Sequence, residues 1–600
     1  MKKNLENYGS AIALILLGLM LALGLASMTA DSGIVDEVAH IPAGYSYLKF
    51  GDYRLNPEHP PLLKDLAAIP LLFLNLKFPT SLPAWTSLPN GQWETGWNFI
   101  YHIGNNADLI LFCARLPILL LAIAFGYFFY RFCRKRYGTS AALLALFFFT
   151  LSPNLLAHAR FVTTDLGIAA FMFFSFYAFF KFLEKPCWKN LIIAAVFFAL
   201  MQLSKFSAVI MYPFYGLLAL IPVVTWQKPN RWQERAKIYL GGLVLIFIIG
   251  FVLTWAFYIP HTRNMPLDVQ DRLIADSLKW GLGQKVAALL IKLNDYPLMK
   301  SLTQYLLGVA MVFNRVQGGN TTYFMGQVTN QSFAWYFPVS YAIKTPVTEL
   351  FLLLLALLSG IYRYFKKNPL RIFKKFTAYA RTNFVELSLI LFVLFYVYVS
   401  IKGNLNLGIR HLFPILPVIF ALIAKKTVDF VKKASAPIGK AGVIAALALL
   451  LVWYGLSNIL TFPYYVAYFN EIIGGPTNAY KYVSDSNVDW GQDLKRLKAF
   501  VDSNPQINKI AVDYFGGGEP KYYFCDRLDD KGHYDCAKSA FLEWHAENGR
   551  PPTNYIAVSE TFLMNDLWWA SGRGDEGYAW LRAQEPMVKI GYSIYVYKIK

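Results

Sequence analysis

Eleven separate apolar runs, most of them long enough to cross a bilayer as a helix, leave this chain little choice of fold. They fall at 10–30, 108–130, 140–157, 165–183, 189–204, 206–225, 238–258, 346–362, 385–401, 408–424 and 440–460. Inside hydrocarbon each backbone N–H and C=O must find its partner within the protein, so such runs become helices. With 56% hydrophobic residues over 600 positions, the chain reads as a polytopic membrane protein and not as a soluble enzyme. The two runs within 189–225 meet at a tight turn. The first run follows Lys2 and Lys3 as a signal peptide would. It is long for one, and Ala26 to Ala30 is a weak cleavage site, so a retained span is expected.

The net charge of +20 might suggest nucleic acid, but its distribution excludes that reading. Basic residues gather in alternate short loops: Arg131 to Arg136, Lys181 to Lys189, Lys228 to Lys237, Arg363 to Arg381 and Lys425 to Lys440. That bias places the N-terminus in the cytoplasm. Eleven spans then put residues 461–600 outside. This tail holds 18 Asp and Glu against 15 Lys and Arg, a formal −3, so the positive charge belongs to the membrane part. The expected division is a transmembrane domain, 1–460, with large outer loops at 31–107 and 259–345, and an external α/β domain, 461–600. Within the first loop, 62–76 has the pattern of a short interfacial helix; 273–312 in the second is amphipathic.

In the tail, Asp489 to Asp493 opens a helical pattern running to Val501. Strand-like runs follow at 509–515, 555–558 and 593–599. Gly516, Gly517 and Gly518 are not followed by a helix carrying Lys-Ser/Thr, so they predict a turn and not a phosphate loop. Cys525 and Cys536 lie in the external tail, where a disulfide closing a short loop is expected. Cys113, Cys133 and Cys187 read as small apolar fillers.

Charged residues beside the outer ends of the runs are the candidates for chemistry, because an ionisable group at a membrane edge is costly unless it lines a polar cavity. Asp36 and Glu37 follow the first run. Adjacent on a helix, they point about 100° apart and cannot serve one point together. Asp36 and His40 are spaced i,i+4, which suits a base and its orienting partner or two ligands of a divalent metal. No further ligand cluster accompanies His40, so a metal is the lesser reading. Glu58, His59, Pro60, Pro61 and Lys64 form a corner stiffened by two prolines. Arg160 and Asp165 flank another rim, and Lys205, Arg410 and His411 add cations there. Fixed cations around an acid suit a departing phosphate.

Together these motifs resemble the protein O-mannosyltransferase-like family of GT-C glycosyltransferases, related to the lipid A aminoarabinose transferases. The resemblance rests on Asp36-Glu37, on His59-Pro60-Pro61-Leu62 with Lys64, and on Arg160 with Asp165. It continues through Tyr336 to Val339, Ile343 to Pro346, Arg410 to Pro414, Tyr468 to Glu471, Gly474 to Pro476 and Asp485 to Leu494. It implies an inverting transferase that moves a sugar from a polyprenyl-phosphate donor to a hydroxyl acceptor at the outer face. By analogy Asp36 is the base, Glu37 shapes the acceptor site and Asp165 organises it. His59, Lys64, Arg160, Lys205, Arg410 and His411 would hold the donor phosphate. The acceptor would be a protein Ser or Thr, or alternatively a lipid or envelope glycan. A different class, a polyprenyl-lipid or solute transporter, is the rival reading; it would carry its substrate site on broken helices at mid-membrane.

Overall fold

The structure, a computed structural model, describes residues 2–225, 231–279, 281–366, 378–433, 437–529 and 532–599. Lys228, residues 367–377 of one basic loop and 434–436 of another lie outside the described residues. Every apolar run is helical in whole or part. Among the described residues, seven helices are long and apolar enough to cross a membrane: Tyr8–Met28, Ala107–Tyr137, Asp165–Glu184, Phe206–Thr225, Trp232–Thr262, Phe384–Lys402 and Gly439–Thr461. Tyr336–Lys344 and Val347–Tyr362, bent by 116°, make an eighth if taken as one broken span. The expected eleven therefore include three of lesser length or apolarity. Thr139–Leu151 and Trp188–Gln202 are short, and Leu416–Lys433 runs into lysines. The physical cause is local at two of them. Pro153 ends Thr139–Leu151, and a new helix starts with Ser152 Oγ accepting Leu155 N–H. Gly408, at φ +97°, precedes a 3-10 turn, Ile409–Ile415, so the run at 408–424 becomes α-helical only from Leu416.

The outer segments are built, not slack. Val35–Phe50 forms a buried helix closed at its C-terminal end by Gly51 in the left-handed region, φ +65°. The expected interfacial helix at 62–76 is Leu62–Ala68 continued by a 3-10 turn, Ile69–Phe73. The amphipathic stretch in the second loop is three helices, Leu267–Ser277, Leu282–Asn294 and Lys300–Gly318.

The C-terminal segment carries a five-stranded mixed sheet in the order Phe541–Glu543, Ile510–Asp513, Tyr555–Ser559, Ile594–Lys598, Val588–Ile590. The first two pairings are parallel and the last two antiparallel. Helix Leu494–Asp502 packs on one side over Leu497, Val501 and Ile507, and Glu560–Arg573 covers the other through Leu563 and Met564. Cys525 and Cys536 are joined in a disulfide beside the small ladder of Asp526–Arg527 and Tyr534–Asp535. The glycine triplet is a turn whose use is proximity. Gly517 N–H donates to Gly33 O at 3.1 Å, and a Cβ on Gly517 would sit 2.0 Å from Ile34 O. The sheet is thereby seated against the segment that leads into Asp36.

Candidate active site

Asp36 and Glu37 occupy the first turn of the helix Val35–Phe50 and diverge as the 100° step requires. Glu37 turns inward. Its Oε2 accepts Ile34 N–H at 3.1 Å, closing the helix start in the manner of a capping-box glutamate, and Oε1 accepts Val162 N–H at 3.1 Å. Arg115 grips both oxygens, Nε to Oε1 at 2.8 Å and Nη2 to Oε2 at 2.6 Å. Neither side chain is more than 1% exposed. The hydrogen bonds of Glu37 are all to interior groups, and it does not line the cavity.

Asp36 turns the other way, toward a cavity of about 360 Å3. Its side chain is a quarter exposed, and Oδ2 accepts from Arg410 Nη1 at 2.8 Å. Asp165, from the first turn of its span, takes the same Nη1 on Oδ2 at 3.4 Å and Lys205 Nζ on Oδ1 at 2.5 Å. Both oxygens of Asp165 are therefore occupied, and it is almost wholly buried. Of the two acids, Asp36 is the one with an oxygen that takes no hydrogen bond among the described residues. The indole of Trp490 lies 4.3 Å from the Arg410 guanidinium carbon, and Arg410 Nε donates to Leu407 O at 3.0 Å.

His59, Lys205, Arg410 and His411 line the polar end of this cavity, with Glu58 and Arg315 beside them. Glu58 is aimed by Gln92 Nε2, which donates at 2.7 Å, and Asn90 Nδ2, at 3.3 Å. Burial, with His40 and Lys64 nearby, holds His59 well below the ordinary imidazole range, so it is neutral. Arg315 has no ion-pair partner among the described residues, which leaves its charge available. The remaining wall is apolar: Ile168, Phe206, Val209, Val312 and Val399 among others.

Two expected phosphate ligands stand elsewhere. Lys64 is fully buried, with Nζ donating to Tyr47 Oη, Asn56 O, Asn56 Oδ1 and His59 O at 2.7–3.1 Å. Burial pushes its ammonium down to about 7. It ties down the loop that carries His59 and does not line the cavity. Replacing it, Lys64→Met, takes the donor away from four buried acceptors and is expected to cost about 2–3 kcal/mol, read as a lower thermal midpoint of the purified protein. An unchanged midpoint would contradict that role. Arg160 pairs with Asp31 at 2.7 Å, both buried, and Asp31 also takes Arg496 from the C-terminal segment at 2.8 Å. Arg160 and Asp165 are not a pair. His40 directs Nδ1 to Val162 O at 2.8 Å, and the described residues hold no group of three or more His, Cys, Asp or Glu placed to bind a metal.

The sequence reading passed over Arg115, Asp31, Arg315 and Trp490. Only Arg115 carried a clear signal, a lone charge inside a long apolar run. Asp31 and Trp490 acquire meaning from distant partners, Arg160 and Arg410, and Arg315 from its place at the cavity.

Residues 99–255 match the family model described as dolichyl-phosphate-mannose-protein mannosyltransferase. No curated protein matches the chain's sequence. Among solved structures, the S. cerevisiae protein O-mannosyltransferase complex bound to the sugar donor is 19% identical, over 44% of this chain and 35% of that one, with a TM-score of 0.33. The chain thus spans about a third of the yeast protein that it matches. The Archaeoglobus fulgidus oligosaccharyltransferase complex with zinc and sulfate is 11% identical, covering 93% of this chain and 69% of that one, with a TM-score of 0.44. ArnT from Cupriavidus metallidurans bound to undecaprenyl phosphate is 11% identical, covering 97% of both chains, with a TM-score of 0.41. Of the motif residues, the matched stretch contains Arg160, Asp165 and Lys205. Together with the apolar helices, that match makes this chain an integral membrane protein similar over residues 99–255 to the dolichyl-phosphate-mannose-protein mannosyltransferases.

Proposed function

We propose that the chain transfers a sugar from a polyprenyl-phosphate carrier to a hydroxyl acceptor, with inversion at the anomeric carbon and Asp36 as the general base. The observation that carries this reading is the open carboxylate oxygen of Asp36 at the polar end of a cavity whose other walls are apolar. The acceptor oxygen attacks the anomeric carbon and gives its proton to Asp36. The bond from that carbon to the phosphate oxygen breaks, and its electron pair leaves with the polyprenyl phosphate. Lys205 and Arg315 meet the charge that develops there, His59 and His411 border it, and the prenyl chain lies along the apolar wall. Arg410, expected at the phosphate, is shared by two carboxylates; its part is to aim Asp36, and Asp165 anchors Arg410 and Lys205 in turn.

The reading places the cavity and residues 461–600 on the outer side and the N-terminus in the cytoplasm. Arg136 paired with Glu184, and Lys425 with Glu386, gather basic loops that the charge bias assigns to the inner side. A single open base opposite the leaving group predicts inversion; two acids flanking the bond would be the arrangement for a glycosidase. The test is incubation with mannosyl, glucosyl and aminoarabinosyl undecaprenyl phosphates, with the product's anomeric configuration read by NMR. Inversion relative to the donor supports the mechanism, and retention contradicts it. Label on protein Ser or Thr, or on an envelope lipid or glycan, names the acceptor.

A further inference from the structure

A single loop of the C-terminal segment, residues 484–494, holds both partners of the Asp36–Arg410 pair. On the Asp36 side, Val35 N–H donates to Trp490 O at 3.2 Å and Ser32 N–H to Gln492 O at 3.0 Å. Ser32 Oγ donates to Gly491 O at 2.7 Å and accepts Leu494 N–H at 3.0 Å. On the Arg410 side, Ile409 N–H donates to Asn487 Oδ1 at 3.1 Å and Ser486 Oγ to Leu407 O at 3.0 Å. The Trp490 ring, 1% exposed, supplies the face on which the guanidinium rests. The backbone grips thus fall one residue before Asp36 and one residue before Arg410.

The loop is itself fixed from behind. Asn487 Nδ2 donates to Tyr336 Oη at 2.9 Å. Asp489 Oδ2 accepts Thr561 N–H at 3.1 Å, and Asp493 Oδ2 accepts the Ser593 hydroxyl at 2.7 Å; Thr561 and Ser593 flank strands of the sheet. Gly491, at φ +93°, lies so close to Gly516 that a Cβ would come within 2.2 Å of its Cα. Arginine has several rotatable bonds, and a guanidinium meets an indole face favourably. The ring and the two backbone grips are this loop's direct contacts with Arg410 and the residues beside it, and Asp485 of the same loop adds a negative charge near the guanidinium.

We propose that Trp490, Ser486 and Asn487 are positioning residues for the transfer, so that residues 484–494 complete the active site and the C-terminal sheet is the frame that holds them. The proposal rests on the reading of Asp36 as the base. A misplacement of about 1 Å in a reacting geometry costs about 10²-fold in rate. In the full-length protein, Trp490→Leu is therefore expected to lower turnover of the undecaprenyl-phosphate sugar by about 10- to 100-fold per site that binds undecaprenyl phosphate. The KM for donor should stay within about threefold, and Trp490→Phe, which restores an aromatic face, should recover most of the rate. Ser486→Ala, which removes one hydroxyl, should lower turnover in the same direction by a few-fold and serves if Trp490→Leu does not fold.

Hydrogen exchange reads the same device in the resting protein. Trp490→Leu, or Ser486→Ala in its place, should raise exchange in peptides covering 32–37 and 407–411 together, with peptides of 107–137 unchanged. Loosening confined to 484–494, or fewer binding sites each with wild-type turnover, would overturn the proposal. Asp36→Asn assayed beside these variants separates the two failures. If it is inactive while Trp490→Leu and Ser486→Ala keep wild-type turnover, the positioning role alone falls. If Asp36→Asn is active, the base reading falls and takes the positioning proposal with it.

Discussion

Asp36→Asn is expected to lower sugar transfer by about 10³-fold or more while leaving polyprenyl-phosphate binding close to that of the wild type. The amide keeps the size of the carboxylate but has no oxygen that takes up a proton, and general-base catalysis typically contributes about 10²–10⁴-fold. Loss of the charge also loosens Arg410, which is bonded to Asp36 at 2.8 Å and keeps its ion pair with Asp165. The expected signature is a fall in kcat with little change in donor KM, as for an interaction made in the transition state. Measurement of kcat and KM on purified protein decides it. A rise in KM with kcat unchanged would instead make Asp36 a binding residue.

The largest effect on folding is expected from Arg115→Met. The guanidinium bonds both oxygens of Glu37 and the carbonyls of Met28, Asp31 and Ser32, all in the interior. Removing the cation strands a buried carboxylate and three carbonyl groups, and breaking a buried pair from one side costs about 3–5 kcal/mol. That is a large part of the stability of a typical folded domain. Little folded Arg115→Met protein should be recovered from membranes, and what is recovered should melt well below the wild type. The double variant Arg115→Met with Glu37→Gln should regain part of the loss, because the stranded charge goes with the second change. A single variant with an unchanged melting midpoint would show that the pair does not hold the start of helix Val35–Phe50.

These two predictions concern adjacent acids, and the sequence foretells their divergence. Neighbours on a helix point about 100° apart, so one faces the cavity and the other the core. Spacing alone does not say which one does which, and only the resemblance pointed to Asp36; the inward turn of Glu37 depends on Arg115, 78 positions away. Arg115 sits in a run of high average hydropathy and is passed over when the run is read as a whole. Three of the five sheet strands of the tail, the end of its helix near Val501 and the glycine turn were legible from period and composition; the short strands Phe541–Glu543 and Val588–Ile590 were not. So was the convergence of Asp165, Lys205, Arg410, His411 and His59, through their common position at the ends of runs. Lys64 and Arg160 were assigned to the ligand because a cation at a rim suits a phosphate. Their buried partners, Asn56 and His59 O for one and Asp31 for the other, leave no spacing in the sequence that marks them. The role of Trp490 is of the same kind, a contact made between segments 80 residues apart.

The central claim is that the cavity makes a glycosidic bond. It is tested most directly in proteoliposomes that carry the purified protein and an undecaprenyl-phosphate sugar labelled in the sugar. The account predicts that label leaves the lipid and appears on a hydroxyl acceptor, in the wild type and not in Asp36→Asn. Label that stays on the lipid but crosses the bilayer, equally in both proteins, would contradict it and make the chain a transporter.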